Sequence, residues 1–321
     1  VDKPLLTIEN LKTYFDTAKG EVHAVDGIDL KVYPKQIVCI VGESGCGKSM
    51  TSLSVMGLVP KPGGRIADGA IWFEGKNLVE LTEEEMSSIR GNEISMIFQE
   101  PMTSLNPVLT IGDQMSEVLL RHRKITKKKA MELVVEILQF VGVARADEII
   151  HDYPHRFSGG MRQRVMIGMA MLCQPKLLIA DEPTTALDVT IQAQVLDLMK
   201  RMSEQFDTSV IMITHDLGVV AEVADHVVVM YAGQVVENAS ADSLFEEALH
   251  PYTRALLKSI PSIDEVKDVL YAIPGTVPDA ANYPPGCRFA DRCDIAQPSC
   301  REKLPDLREI RPGHLARCDL I

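Results

Sequence analysis

The chain has 321 residues, 46% of them hydrophobic and few of them aromatic, enough for one large domain and a smaller one packed on aliphatic side chains. A net charge of -12 excludes a protein that coats nucleic acid, because the basic footprint is missing. No apolar run is long enough to cross a bilayer, and Val1-Asp2-Lys3-Pro4 lacks the apolar core of a signal peptide, so work at a membrane is expected only when docked on other chains.

In chain order, residues 5–11, 22–25 and 28–32 read as strands with turns between them. Residues 37–41 are an unbroken apolar, β-branched run, as a strand buried on both faces should be. Gly42-Glu43-Ser44-Gly45-Cys46-Gly47-Lys48-Ser49 follows directly, the pattern G-x-x-x-x-G-K-[ST], and Met50 with the residues behind it can continue as a helix. The glycines let the backbone curl so that its N–H groups point at phosphate oxygens, and the helix N-terminus adds positive potential. Lys48 suits the β- and γ-phosphates, and the Ser49 hydroxyl suits Mg²⁺. This stretch predicts binding of a nucleoside triphosphate.

Further on, residues 70–73 read as a short strand, and Thr82 with Glu85 as a capping box that opens a helix. Apolar strand runs recur at 94–98, 177–180 and 210–213, mostly separated by helical patterns, which predicts parallel α/β architecture. From about 101 to 170 the pattern is mostly helical. A basic cluster between Arg121 and Lys129 reads as a solvated helix face, with phospholipid contact as the alternative. On the helix from Met161, the residues Met161, Val165, Met169 and Leu172 share one face at core spacing. Residues 227–231 and 234–236 flank Ala232-Gly233 as a hairpin. Beyond about 255 the chain is irregular and Pro-rich, with Pro261, Pro274, Pro278, Pro284 and Pro285, and reads as a linker into a small C-terminal module.

Two more motifs narrow the chemistry. The strand at 177–180 runs into Asp181 and Glu182. Asp181 suits a second Mg²⁺ anchor and Glu182 a group that polarises an attacking water, the alternative being a solvated acidic pair at a strand end. Upstream, Ser158 can cap a helix whose first residues, Gly159 and Gly160, let backbone amides approach an anion closely.

Phe157-Ser158-Gly159-Gly160-Met161 resembles the LSGGQ signature of the ATP-binding-cassette (ABC) ATPases, with Phe for Leu and Met for Gln at its ends. The resemblance runs in the family's order over residues 5 to about 245. It implies a P-loop NTPase (RecA-like) α/β core with an N-terminal antiparallel β subdomain and a helical insertion subdomain. The nucleotide-binding domain would span 1–255, with its helical part at about 101–170. It also implies that Ser158, Gly159 and Gly160 complete the ATP site of a partner, two cassettes enclosing two ATPs head to tail. Gln99 matches the Q-loop residue that senses Mg²⁺ and γ-phosphate and couples to the transmembrane partner. Ala186-Leu187-Asp188 matches the D-loop, His215 the switch histidine, and Phe15, with Tyr14 beside it, the aromatic that stacks on adenine. Without the resemblance, Gln99 reads as a surface glutamine and His215 as a strand-end histidine. The implied enzyme is an ATPase that uses ATP and Mg²⁺, with Glu182, His215 and Gln99 catalytic and Ser49, Gln99 and Asp181 at the metal.

After the cassette, His250-Pro251-Tyr252-Thr253-Arg254, Pro274-Gly275 and Gly286-Cys287-Arg288-Phe289-Ala290-Asp291-Arg292-Cys293 resemble the tail of bacterial peptide-importer ATPases. That group includes dipeptide, oligopeptide and nickel importers, and the "D"-type peptide subunit fits best. The resemblance implies an ATP-hydrolysing subunit that powers import of di- and oligopeptides by ATP-driven dimer closure. It would sit peripherally at the cytoplasmic face of the bacterial plasma membrane, held by two transmembrane permease subunits. A second ABC ATPase, a paralogue in preference to another copy, and an extracytoplasmic peptide-binding protein complete the assembly. A nickel or other small-solute importer is the alternative. A soluble ABC ATPase acting on ribosomes or nucleic acid would carry a second cassette, a coiled-coil insertion or a basic footprint, and none is present.

Cys287, Cys293, Cys300 and Cys318 follow C-x5-C-x6-C-x17-C, which meets neither zinc-ribbon nor ferredoxin spacing. Clustered thiols in a Pro-rich segment with little core suit a metal staple of unspecified type, with free thiols as the alternative. A disulfide framework is not expected in a reducing compartment. The resemblance to the peptide-importer group implies a [4Fe-4S] cluster with a structural role, zinc being the alternative. The tail from 256 to 321 is then a small Cys-rich module.

Overall fold

The computed structural model describes residues 3–18, 20–99, 104–185, 188–260 and 271–321. Two compact units divide the chain, one drawn from Val1–Val32, Ile37–Glu80 and Thr214–Ile321, the other from Tyr33–Gln36 and Leu81–Ile213. Pro261, expected in the linker, lies outside the described residues, as do Ala186 and Leu187.

The first unit opens with an antiparallel sheet in which Leu6–Thr17 lies between Gly20–Val32 and Gly64–Phe73, with the short Lys76–Asn77 at the edge. The expected strands at 22–25 and 28–32 are one strand, not two. Its register against Leu6–Thr17 slips between Ile8 and Leu11, between Leu11 and Lys12, where Ile28 and Asp26 lie opposite, and between Thr13 and Tyr14. The break signalled around Asp26-Gly27 is therefore absorbed by irregular pairing instead of a turn. Val25, Ile28, Leu30 and Val32 supply its buried face.

In the same unit Ile37–Val41 pairs in parallel with His226–Tyr231, which turns back antiparallel into Gln234–Ser240. All five residues of Ile37–Val41 are buried, which explains an apolar run without alternation. Ala232 and Gly233 both take positive φ, as a two-residue hairpin loop demands. Two unforeseen strands, His314–Ala316 and Arg308–Arg311, extend the sheet beyond Gln234–Ser240. A buried polar knot holds them: the Glu237 carboxylate accepts from the amides of Leu249 (2.6 Å) and His250 (3.0 Å), and His314 Nε2 lies 2.7 Å away. His250 accepts the Tyr252 amide at Nδ1 and so opens the helix Pro251–Lys258. Its burial pushes the imidazole pKa down to about 3, which keeps the ring neutral for that job.

The second unit contains three parallel strands, with Leu177–Asp181 between Ile94–Ile97 and Ser209–Ile213. The helix Glu83–Ile89 begins with the capping box: Thr82 accepts the Glu85 amide, and Glu85 accepts the Thr82 amide. Thr110 and Thr126 cap Ile111–His122 and Lys127–Phe140 through their hydroxyls, which accept the amides of Asp113 and Lys129. Within the basic cluster, Lys127 pairs with Asp113 and Lys129 with Glu132 at the surface, so these charges are ordinary solvated pairs. The helix Gly159–Met171 departs from the single core face. Gln163, Val165, Met166, Ile167, Gly168, Ala170 and Met171 are buried while Met161 and Met169 are only half-buried. Most of its circumference is packed, so no one stripe marks the core. Among the described residues no helix is long and apolar enough to cross a membrane.

Candidate nucleotide site

In the first unit, Ile37–Val41 delivers the chain into the phosphate-loop motif. At Gly42 (φ 149°) a Cβ would lie 2.2 Å from the carbonyl oxygen of Met230, and at Gly47 (φ 102°) 2.4 Å from that of Ala24. Both neighbours are backbone and cannot yield, so the curl requires glycine at both positions. Ser44 and Gly45 are exposed at the tip, while Ser49 and Met50 are half-buried in the helix Lys48–Val55. Lys48 is buried, and its Nζ donates to the carbonyls of Gly42 (2.7 Å) and Glu43 (3.0 Å). Beside it lies the Cys46 sulfur, whose thiol pKa burial pushes up.

Glu43 has partners that motif spacing did not reveal. Its amide donates to the Tyr252 hydroxyl, and its carboxylate takes two bonds from Arg292. Tyr14 stacks on His23 at 4.0 Å and donates its hydroxyl to Asp26 (2.7 Å). Burial and the Asp26 carboxylate both raise the phenol pKa, so the proton stays. Phe15 is half-buried, opposite Val22 on one side and Gly64 on the other. His215 is exposed in the turn between Thr214 and the helix Leu217–Val223. Asp216 fixes that turn, donating its amide to Thr214 Oγ1 and accepting from the amides of Gly218 and Val219.

In the second unit, Asp181 is buried at the end of Leu177–Asp181. Glu182 comes next with φ 48°, a left-handed conformation that costs a non-glycine residue roughly 1–3 kcal/mol. Its amide donates to Ile213 (2.9 Å), and its Oε2 accepts from Gln99 Nε2 (3.0 Å) and the Thr185 hydroxyl (2.9 Å). Gln99 and Glu182, expected from separate motifs, thus meet. Thr185 was not foreseen; a hydroxyl in a loop carries no pattern of its own.

Ser158 caps Gly159–Met171 by accepting the Met161 amide (3.4 Å). Ser158 and Gly159 are exposed, and a Cβ at Gly159 would meet nothing. At Gly160 a Cβ would lie 3.1 Å from Ile191, whose amide is bonded to the Asp188 carboxylate at the start of Val189–Phe206. Gln163, also unforeseen, donates from this helix to the Pro183 carbonyl. The signature helix is thereby tied to the segment after Glu182.

The four tail cysteines are free thiols in the first unit. Burial, and then charge on neighbouring thiols, raises the pKa of Cys287 and Cys318, and similar effects act on Cys293. Among the described residues, however, no group of three or more His, Cys, Asp or Glu is arranged to hold a metal ion. The thiols are neighbours without converging, so the structure does not support the expected [4Fe-4S] or zinc site, nor the Cys-rich module as a metal module. Backbone pairing between the Cys287 amide and the Cys300 carbonyl, at 2.7 Å, fixes part of this segment by ordinary hydrogen bonding.

Residues 25–185 match the family described as "ABC transporter", and residues 236–300 match "Oligopeptide/dipeptide transporter, C-terminal region". The chain is 60% identical over 316 residues to the oligopeptide transport ATP-binding protein AppD of Bacillus subtilis (strain 168), covering 98% of this chain and 96% of that protein. The dipeptide transport ATP-binding protein DppD of the same organism is 50% identical over 314 residues, covering 98% and 94%. Of solved structures, the dimeric structure of MJ0796, a bacterial ABC transporter cassette, matches with a TM-score of 0.65 at 25% identity over 74% of this chain and 98% of that one. The cbiO1 subunit from Clostridium perfringens shows the same fold, with a TM-score of 0.66 at 24% identity over 77% and 92%.

Proposed function

This chain belongs to the ABC transporter ATPases, in the branch that carries the oligopeptide/dipeptide transporter C-terminal region, and from that premise we propose how its residues divide the work. The chain is an ATPase that powers peptide import, which entails permease partners in the membrane and association with a second cassette.

The amides from Ser44 to Met50 receive the phosphates, a role favoured by the two glycines that lock the loop's curl. Lys48 exchanges its bonds to Gly42 and Glu43 for charge-assisted bonds to the β- and γ-phosphates, which are stronger. The Ser49 hydroxyl, the Asp181 carboxylate and the Gln99 amide are hard oxygen donors of the kind Mg²⁺ takes. Mg²⁺ held by such donors would supply positive charge to the transferring phosphoryl group. Glu182 accepts the proton of the attacking water and Gln99 orients it. The observation that carries this reading is the 3.0 Å bond between Gln99 and Glu182, which brings a sensor and a base to one place from motifs far apart in sequence.

His215 contacts the γ-phosphate, and Phe15 stacks on adenine while Tyr14, engaged with His23 and Asp26, supports it from behind. Ser158 and Gly159, exposed at a helix N-terminus, and Gly160, half-buried behind them, dock on the nucleotide of the partner cassette, with Asp188 at the same interface. That partner is a paralogue, and the pair sits at the cytoplasmic face of the plasma membrane beneath two permeases. An extracytoplasmic binding protein selects the di- or oligopeptide. The helical subdomain at about 101–170 and the tail beyond 255 are assigned as separate modules of this machine.

The assay that decides the cargo is ATP turnover by the purified transporter with its binding protein loaded in turn with di-, tri- and longer peptides or nickel. Peptides should stimulate hydrolysis and nickel should not; stimulation by nickel alone contradicts the peptide assignment.

A [4Fe-4S] cluster on Cys287, Cys293, Cys300 and Cys318 would need the four sulfurs to draw together as thiolates, because among the described residues no three such groups are arranged to hold a metal. Anaerobically purified chain should then contain iron and acid-labile sulfide. Zinc alone, or no metal, rules the cluster out.

A further inference from the structure

The phosphate loop is gripped by residues far beyond the cassette motifs. Arg292 closes the 3-10 turn Ala290–Arg292, with its side chain only 4% exposed. Its guanidinium meets the Glu43 carboxylate in a fork, Nη1 to Oε2 at 2.7 Å and Nη2 to Oε1 at 3.0 Å. The same group donates to the Pro274 carbonyl through Nε (2.9 Å) and to the Tyr231 hydroxyl (3.3 Å). Tyr252, fully buried against Tyr231 and Phe289, accepts the Glu43 amide at 2.9 Å. Glu43 is thus held by main chain and side chain at once. Four residues earlier in the tail, Arg288 lies on the Tyr283 ring and bonds the Ala232 carbonyl and Asp26, the carboxylate that also receives the Tyr14 hydroxyl.

Two physical effects follow for the nucleotide. A forked, partly desolvated arginine–carboxylate pair has strict geometry, so it fixes where Glu43, and with it the curl from Gly42, can sit. A loop already in its binding form loses less ordering entropy when phosphate arrives. An unpaired Glu43 would also set a negative charge within the phosphate loop, against the triphosphate.

We propose that Arg292 is a positioning residue for the phosphate loop: by clamping Glu43 it holds the loop in its anion-binding form and cancels a repelling charge, so the C-terminal tail sets the affinity for ATP. The proposal rests on the assignment of Gly42 to Ser49 as the nucleotide site. It gives the tail a role in ATP binding that requires no metal.

The test uses the complete transporter and resolves KM for ATP from kcat. Arg292→Ala should raise KM by about 10-fold or more, with kcat at saturating ATP changed less than about 2-fold. Arg292→Lys should recover only part of the affinity, because an ammonium keeps the charge and loses the fork. In a Glu43→Gln background, Arg292→Ala should add less than about 2-fold, since the two residues act as one unit. A KM within about 2-fold of the parent, or an equal rise in both backgrounds, overturns the proposal. If Arg292→Ala does not fold, Arg292→Lys alone decides, since it keeps the charge and loses the fork: an unchanged KM overturns the clamp, and a rise of about 3-fold or more with kcat kept supports it. A parent transporter that fails to hydrolyse ATP would instead refute the ATPase assignment itself.

Discussion

Replacing Glu182 by glutamine should lower ATP turnover by about 10²–10⁴-fold while ATP still binds. The substitution preserves shape. Glu182 Oε2 accepts from Gln99 and from Thr185, and the single oxygen of a glutamine can accept from both. The left-handed backbone at residue 182 and the bond from its amide to Ile213 do not involve the side chain and should persist. Only the basicity of the carboxylate disappears, so the loss reports on chemistry and not on placement. Because the γ-phosphate then remains, the ATP-bound dimer should accumulate. Phosphate release and chromatographic size in Mg-ATP read both effects, and normal turnover would remove Glu182 from the mechanism.

Lys48→Ala should abolish useful nucleotide binding. The Lys48 ammonium is buried and sits on the carbonyls of Gly42 and Glu43. Without it those two oxygens face incoming phosphate oxygens with no cation between. Truncating one partner of a buried charged pair costs about 2–5 kcal/mol, or roughly 30- to 4,000-fold in affinity. Titration with a fluorescent ATP analogue measures the loss. The glycines that shape the loop are untouched, so the free protein should still fold with the loop's curl kept. An affinity within about 3-fold of the parent would place the phosphate contact elsewhere.

The two predictions draw on parts of the site that were unequally legible in the sequence. The loop from Gly42 to Ser49 was readable because each requirement falls on a residue type at a fixed offset: no room for a Cβ at Gly42 and Gly47, a long cation at Lys48. The buried strands Ile37–Val41 and Leu177–Asp181 announced themselves by unbroken apolar runs. The bond from Gln99 to Glu182 was hidden, since it joins residues 83 apart and neither motif names the other. Hidden for the same reason was Arg292 on Glu43, across 249 residues.

Strands fared worse where their reason lay in a neighbour. Arg308–Arg311 carries three charged side chains and no apolar alternation, and becomes a strand only because His314–Ala316 presents an edge to it. Gly20–Val32 looked interrupted at Gly27, but it pairs with Leu6–Thr17 on both sides of the irregularity. The tail cysteines mark the opposite limit: Cys287, Cys293, Cys300 and Cys318 crowd one stretch of sequence and come near one another, yet proximity is not ligand geometry.

Coupling of ATP hydrolysis to peptide import is the work of this chain. Its most direct test is uptake of a labelled peptide into vesicles that carry the two permeases, both cassettes and the loaded binding protein, with Mg-ATP supplied on the cassette side. Uptake should require ATP and fall to background with Lys48→Ala in this chain. Uptake that persists without ATP, or brisk hydrolysis that moves no peptide, would contradict the account.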